Sequence, residues 1–550
     1  MSGAPPKPIL LALALALALA WFGLLDLRPL VKADEGRYGE IPREMVASAD
    51  WLTPRLNGFK YFEKPPLQYW ATAAVFEVLG PGEWGTRLWS ALTAFAALFA
   101  AAWTGARLYG PAAGFAAAAA LAGSFYHAAM AQLASLDAGV SAFLSLAVFA
   151  VVLAQRDATP EPARRAWMLG AWAAMALAVL SKGLIGIVLP AGAVVAYVLW
   201  QRDLGLMRRL HMLPGALLFL LIAAPWFVAV SAANPEFARF FFWHEHVERF
   251  LTTEHHHPGP WWYFVPVLLL GALPWLPSLL AAPGAALRLD PPAGFRPARF
   301  LLAWCAVVFV FFSISGSKLA SYILPIFPAL AILAGAQLAQ ASRRFLAAQA
   351  ALAALLGFAA LAWLLAGAPG AASPSVPPDL VARYRDWLVA GAVSLLAAGL
   401  AAAALAVRGR PAASVATLAG GALACVLLVV VGYGALAPIY SAYDAVERAR
   451  PGLPPPQVPF YAVRRYDHTL PFYLGRTVTM VAVSDELGIA MGWEPGKALA
   501  TVDAFARAWR EAPAACAAYA PGDEDAIFAA HGLAAREIAR SPRYLIACKP

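Results

Sequence analysis

The chain has 550 residues, of which 61% are hydrophobic and only 13% charged, against roughly 25% charged in a soluble protein. That excludes a soluble enzyme as the bulk of the molecule and leaves a polytopic membrane protein. The net charge of +9 follows from where the arginines fall and gives no reason to expect a nucleic-acid partner.

In chain order, the first apolar run covers about residues 9–25. It follows a single lysine, Lys7, and lacks a small-residue cleavage site, so it reads as a retained span rather than a leader. A polar loop over 26–84 comes next. Within it, "RYGEIPREMVASADW" sets Tyr38, Ile41 and Met45 opposite Arg37, Glu40 and Glu44. This spacing predicts an amphipathic helix lying on the membrane surface. "GFKYFEKPPLQYW" follows, where two prolines hold Lys64 in a stiff, non-helical segment. A second short helix is predicted after Pro66, using Leu67, Trp70 and Phe76.

Twelve further apolar runs approach the length needed to cross a bilayer core of about 30 Å. They lie near 88–106, 111–130, 136–155, 165–181, 183–200, 212–232, 261–281, 298–315, 320–338, 345–367, 387–407 and 414–437. Thirteen spans are therefore expected. Every second loop is rich in arginine: Arg156, Arg164 and Arg165; Arg202, Arg208 and Arg209; Arg288, Arg296 and Arg299; Arg343 and Arg344; Arg408 and Arg410. Positive charge collects on the cytoplasmic side. The N-terminus is thus expected inside and the tail outside, in the periplasm of a Gram-negative cell. The external loop over 233–260 mixes aromatic residues with five histidines and Arg249.

The expected organisation is a membrane domain over 1–438 and an external domain over 439–550. The tail alternates in "VPFYAVRRY" and "TVTMVAV", turns helical around Asp503 to Ala512, and closes on strand-like "RYLIAC". That order fits a small α/β domain. Cys305 and Cys425 fall inside spans. Cys516 and Cys548 lie outside, where oxidation is permitted, and are expected to form a disulfide between the tail's helical part and its last strand.

Asp34, Glu35, Arg37, Glu63, Lys64, Asp137, Lys182, His244, Arg249 and Lys318 all map to external loops or external span ends. None lies mid-span, which argues against an ion-coupled transporter. Charge gathered at one interface suits chemistry on an amphiphile whose polar head sits there. Blander readings stand beside this one. Lys182 and Lys318 can snorkel from span ends, Asp137 can cap its helix, and Glu63 with Lys64 can be a surface ion pair.

The stretches "ADEGRYGEIPREM", "DWLTPRLNGFKYFEKPPLQYW", "LSKGLIG", "WHEHVERF" and "SGSKLASYILPIFPALAIL" resemble the lipid A aminoarabinose transferases. These belong to the GT-C class of glycosyltransferases, with the protein O-mannosyltransferases. The resemblance is strong over about 20–340. It implies an all-α membrane fold with external amphipathic helices and a small periplasmic α/β domain, in a monomer of the inner membrane. It further implies inverting transfer of aminoarabinose from undecaprenyl phosphate to a lipid A phosphate, giving resistance to polymyxin.

By family position Asp34 would sit nearest the reacting sugar, with Glu35 and Asp137 as further catalytic carboxylates. Lys64 and Arg249 would hold the donor phosphate, with Arg37, Lys182 and Lys318 as further cations and Tyr61 and Tyr322 capping the pocket. No cofactor is required, though Glu63 and His244 leave room for a divalent cation. Another polyprenyl-phosphate sugar, mannose to protein or galacturonic acid to lipid A or core, stays open, as does a lipid flippase.

Overall fold

The computed structural model describes residues 6–248, 259–367, 376–483 and 486–550. Each of the thirteen apolar segments is helical. Among the described residues seven helices are long and apolar enough to cross a membrane, or eight if the bent pair Phe264–Gly271 and Leu276–Leu287 is one span. That pair turns by 98° at Pro274, where proline ends the hydrogen-bond ladder. Lys7–Phe22, Pro111–Ala122, Ile185–Gln201 and Ile326–Gln340 are shorter apolar helices.

Small residues let the helices approach closely. Arg343–Leu365 and Pro378–Val407 pack along their length. A Cβ on Gly357 would stand 2.6 Å from the Leu396 nitrogen, and one on Gly399 would stand 2.5 Å from the Ala354 nitrogen. With no gain from expelling water inside a membrane, such close van der Waals contact is the main source of helix association there.

The helix Asp34–Ser48 departs from expectation. It does not lie on a membrane surface with one face exposed, because every residue from Glu35 to Met45 is buried. It packs against Leu67–Leu79 on one side and Thr469–Leu474 of the tail on another. Its polar side is accommodated by ion pairs. Arg43 makes two bonds of 2.6 Å to Glu40 and donates to the Gly475 carbonyl at 3.1 Å. The expected helix after Pro66 is present as Leu67–Leu79.

The tail holds a five-stranded mixed sheet, ordered Thr479–Val481, Phe460–Val463, Cys516–Tyr519, Leu545–Cys548 and Arg536–Arg540. The first three run parallel and the last two antiparallel to their neighbours. Val502–Glu511 is the expected helix. Cys516 and Cys548 are bonded, but they face each other across adjacent antiparallel strands rather than joining a helix to a strand.

The tail is tied to the first loop. The Asn57 amide donates to the Val478 carbonyl at 2.9 Å and accepts from the Val478 nitrogen at 2.8 Å, as a paired strand would. Arg55 meets Glu494 at 3.0 Å.

Candidate active site

A cavity of about 360 Å³ opens where the first loop, several helix ends and the Ser315–Tyr322 segment converge. Its polar rim carries Asp34, Arg37, Glu63, Lys64, Asp137, Lys182, Glu245 and Tyr322. Its wall is apolar, built from Val140, Leu184, Ile185, Val188, Leu189, Phe311 and Phe312. A polar mouth above a greasy wall suits a ligand with a charged head and a hydrocarbon tail.

Asp34 and Arg37 share the first turn of their helix, and Arg37 donates to Asp34 at 3.1 Å. The Arg37 guanidinium also grips Glu486 of the tail through two bonds, of 3.0 and 2.5 Å. His468 lies 2.7 Å from the same carboxylate. Burial pushes the Glu486 carboxyl up, but the His468 hydrogen bond and the Arg37 charge outweigh it and hold the pKa at about 2. The tail therefore fixes an arginine that lines the cavity.

Lys64 is held by the turn that its prolines impose. Its ammonium donates to Glu245 at 2.9 Å and to the Glu63 carbonyl at 2.8 Å. Lys182 ends the helix Glu161–Lys182, pairs with Asp137 and lies 5.1 Å from the centre of the Tyr322 ring. The helix Leu136–Gln155 is capped by Ser135, which accepts from the Asp137 nitrogen. The Asp137 carboxylate is thereby left to face Lys182.

Several expected residues sit elsewhere. Glu35 is buried away from the cavity, clamped by Arg28 at 2.6 and 2.8 Å and by Arg87 at 2.8 and 3.0 Å. Burial disfavours its charge, yet the two guanidiniums hold its carboxyl well below the ordinary range. With both oxygens occupied, it anchors the first span's exit rather than reaching a substrate. Tyr61 is buried beneath the Arg37 guanidinium, 5.7 Å from its ring centre, and lines no part of the cavity. Lys318 turns inward and donates to the Ser313 and Ser315 carbonyls at 3.0 and 2.5 Å. It closes the end of the preceding helix, Pro297–Ile314. Arg249 lies outside the described residues.

For a metal, Glu63 lines the cavity, while the His244 ring stacks on Phe240 at 5.2 Å. No group of three or more candidate ligands gathers among the described residues. Glu245, Glu486 and His468 were not found from sequence. Glu245 stood inside the "HEH" stretch, but nothing local marked it as the partner of Lys64.

A family model for the aminoarabinose transferase C-terminal domain matches residues 446–549, and one for dolichyl-phosphate-mannose-protein mannosyltransferase matches residues 9–241. The structure of ArnT from Cupriavidus metallidurans bound to undecaprenyl phosphate superposes with a TM-score of 0.93 at 35% identity, covering 99% of this chain and 98% of that one. The chain belongs to the ArnT family. The apo structure of the same ArnT gives a TM-score of 0.91 at 36% identity, with 98% of both chains covered.

A relative from Pseudomonas fluorescens, undecaprenyl phosphate-alpha-4-amino-4-deoxy-L-arabinose arabinosyl transferase 2, is 34% identical over 61% of this chain and 58% of its own length. One from Aeromonas salmonicida, named as the same transferase, is 36% identical over 57% of this chain and 56% of its own. The sequence matches to these curated ArnT relatives thus span little more than half of each.

Proposed function

We propose that the protein transfers 4-amino-4-deoxy-L-arabinose from undecaprenyl phosphate to a phosphate of lipid A, at the periplasmic face of the inner membrane. The two-sided cavity carries this reading. Phe311, Phe312 and the Leu184–Leu189 wall receive the polyprenyl chain, while Lys64 and Lys182 meet its phosphate. Both lysines are engaged by carboxylates, Glu245 and Asp137. The phosphate therefore takes ammoniums already desolvated and positioned, by exchange with those acids.

As the sugar–phosphate bond breaks, charge grows on the leaving oxygen, and fixed cations in a partly dry site stabilise it. The acceptor is a phosphate monoester with a second pKa of about 6, so it arrives as a nucleophile needing no strong base. Asp34 is then free to hold the sugar's ammonium and offset positive charge at the anomeric carbon. A single displacement inverts that carbon. The test is mass spectrometry of lipid A from a strain lacking its own transferase, with and without this gene. Unmodified lipid A alongside well-expressed protein would overturn the proposal.

A further inference from the structure

A second cavity, of about 270 Å³, lies at the opposite end of the helix bundle from the first. One wall is the end of the Glu83–Tyr109 helix, with Trp103 and Arg107. The other is the turn between Leu136–Gln155 and Glu161–Lys182, with Arg156, Thr159 and Trp167. The two tryptophan rings stand 5.3 Å apart, and the Arg107 guanidinium lies 5.0 Å from the Trp103 ring centre.

The acids nearby are engaged elsewhere. Asp157 stands 3.8 Å from Arg209, while Glu161 takes Arg164 at 2.7 Å and His211 at 3.1 Å. Neither Arg107 nor Arg156 has an ion-pair partner among the described residues. An aromatic face orients a guanidinium without neutralising it, so the fork of N–H donors stays available to an oxyanion.

We infer that this niche binds the phosphate headgroup of an anionic membrane phospholipid. Arg107 and Arg156 engage the phosphodiester, and Trp103 and Trp167 flank the glycerol at the level of the membrane interface. A free phosphate offers the same oxyanion, but the rings then have no apolar partner. Their presence favours the lipid, as does the attraction of anionic leaflets for basic pockets between helices. The inference does not depend on which sugar the first cavity handles.

The test uses the full chain in nanodiscs of phosphatidylcholine with a minor share of phosphatidylglycerol, read by native mass spectrometry. The wild type should retain a phosphatidylglycerol molecule selectively. Arg107→Gln combined with Arg156→Gln should weaken that retention by about tenfold or more. Arg208→Gln, which removes an arginine outside the niche, should not. Ala158→Glu keeps both arginines but sets a carboxylate on the niche wall, and should abolish retention as well. Equal retention in the double variant would overturn the inference, and so would an equal loss in Arg208→Gln. Displacement of the lipid by inorganic phosphate would overturn the lipid assignment.

Discussion

Asp34 and Glu35 are neighbours in sequence with opposite fates. The Asp34 side chain is 56% exposed at the cavity rim, whereas that of Glu35 is 4% exposed between two guanidiniums. Glu35→Gln should therefore fail through stability, because removing one partner of a buried charge network costs about 3–5 kcal/mol. It should show as a lower melting temperature and poor yield of inserted protein. Asp34→Asn should melt like the wild type yet transfer little sugar. Lys64→Ala should likewise fold, with transfer slowed roughly tenfold to a few hundredfold, since a hydrogen bond to a charged group is worth about 1.5–3 kcal/mol. A stable, inactive Glu35→Gln would return that residue to the catalytic set.

At the scale of elements, the Asp34–Ser48 helix is the joint between the membrane domain and the tail. The backbones come close at Gly36, where an added Cβ would stand 2.7 Å from the Thr469 nitrogen and 2.8 Å from the His468 carbonyl carbon. Both are backbone atoms and cannot step aside. Gly36→Ala should loosen the tail, raising its cleavage by added protease, and should lower transfer although no catalytic group changes. Cleavage and transfer at wild-type levels would show that the joint does not position the site. Low pH is a poor lever on the same joint. The Glu486 carboxyl, facing Arg37 and His468, is depressed to about 2. Its contribution is complete above the ordinary glutamate value and is lost only as pH falls toward 2, so Glu486 itself should stay charged and paired with Arg37 between about pH 5 and 8. Sequence revealed little of this. A stripe of Tyr38, Ile41 and Met45 announces one buried face, but the burial of Arg37 on the charged face rests on Glu486, 449 positions away. Hydropathy, in contrast, found a helix at each apolar segment, because apolarity is a local property, but it missed the break at Leu273–Pro274 and set the start of Pro378–Val407 too late. In the tail, "CAAY" and "REIAR" escaped as strands. The first is alanine-rich, and the second is an edge strand whose charges break the alternation.

Across the whole molecule, polarity is divided between two ends. The Leu136–Gln155 and Glu161–Lys182 helices pair Asp137 with Lys182 at the cavity end, and Arg164 donates to the Ala154 carbonyl at 3.2 Å at the other. About twenty residues at 1.5 Å per residue separate the two ends by roughly 30 Å, the thickness of a bilayer core. Each helix is therefore long enough to match a bilayer core, with the cavity at one end of the pair and an arginine-rich turn at the other. Among the described residues seven helices satisfy length and composition outright, or eight with the bent pair, while the thirteen-span reading needs the shorter ones and Glu161–Lys182 to cross as well. The two readings part company in reporter fusions. Alkaline phosphatase, which works only outside the cytoplasm, should be inactive when fused after Arg156 or Arg202. It should be active after Asn234 and after Pro550. Activity after Arg202 would mean that Ile185–Gln201, with 17 residues, does not cross. Silence after Pro550, with the fusion protein present in the membrane, would place the tail in the cytoplasm. The cavity beneath the tail would then face away from any lipid A in the periplasm, and the proposed acceptor would fall with it.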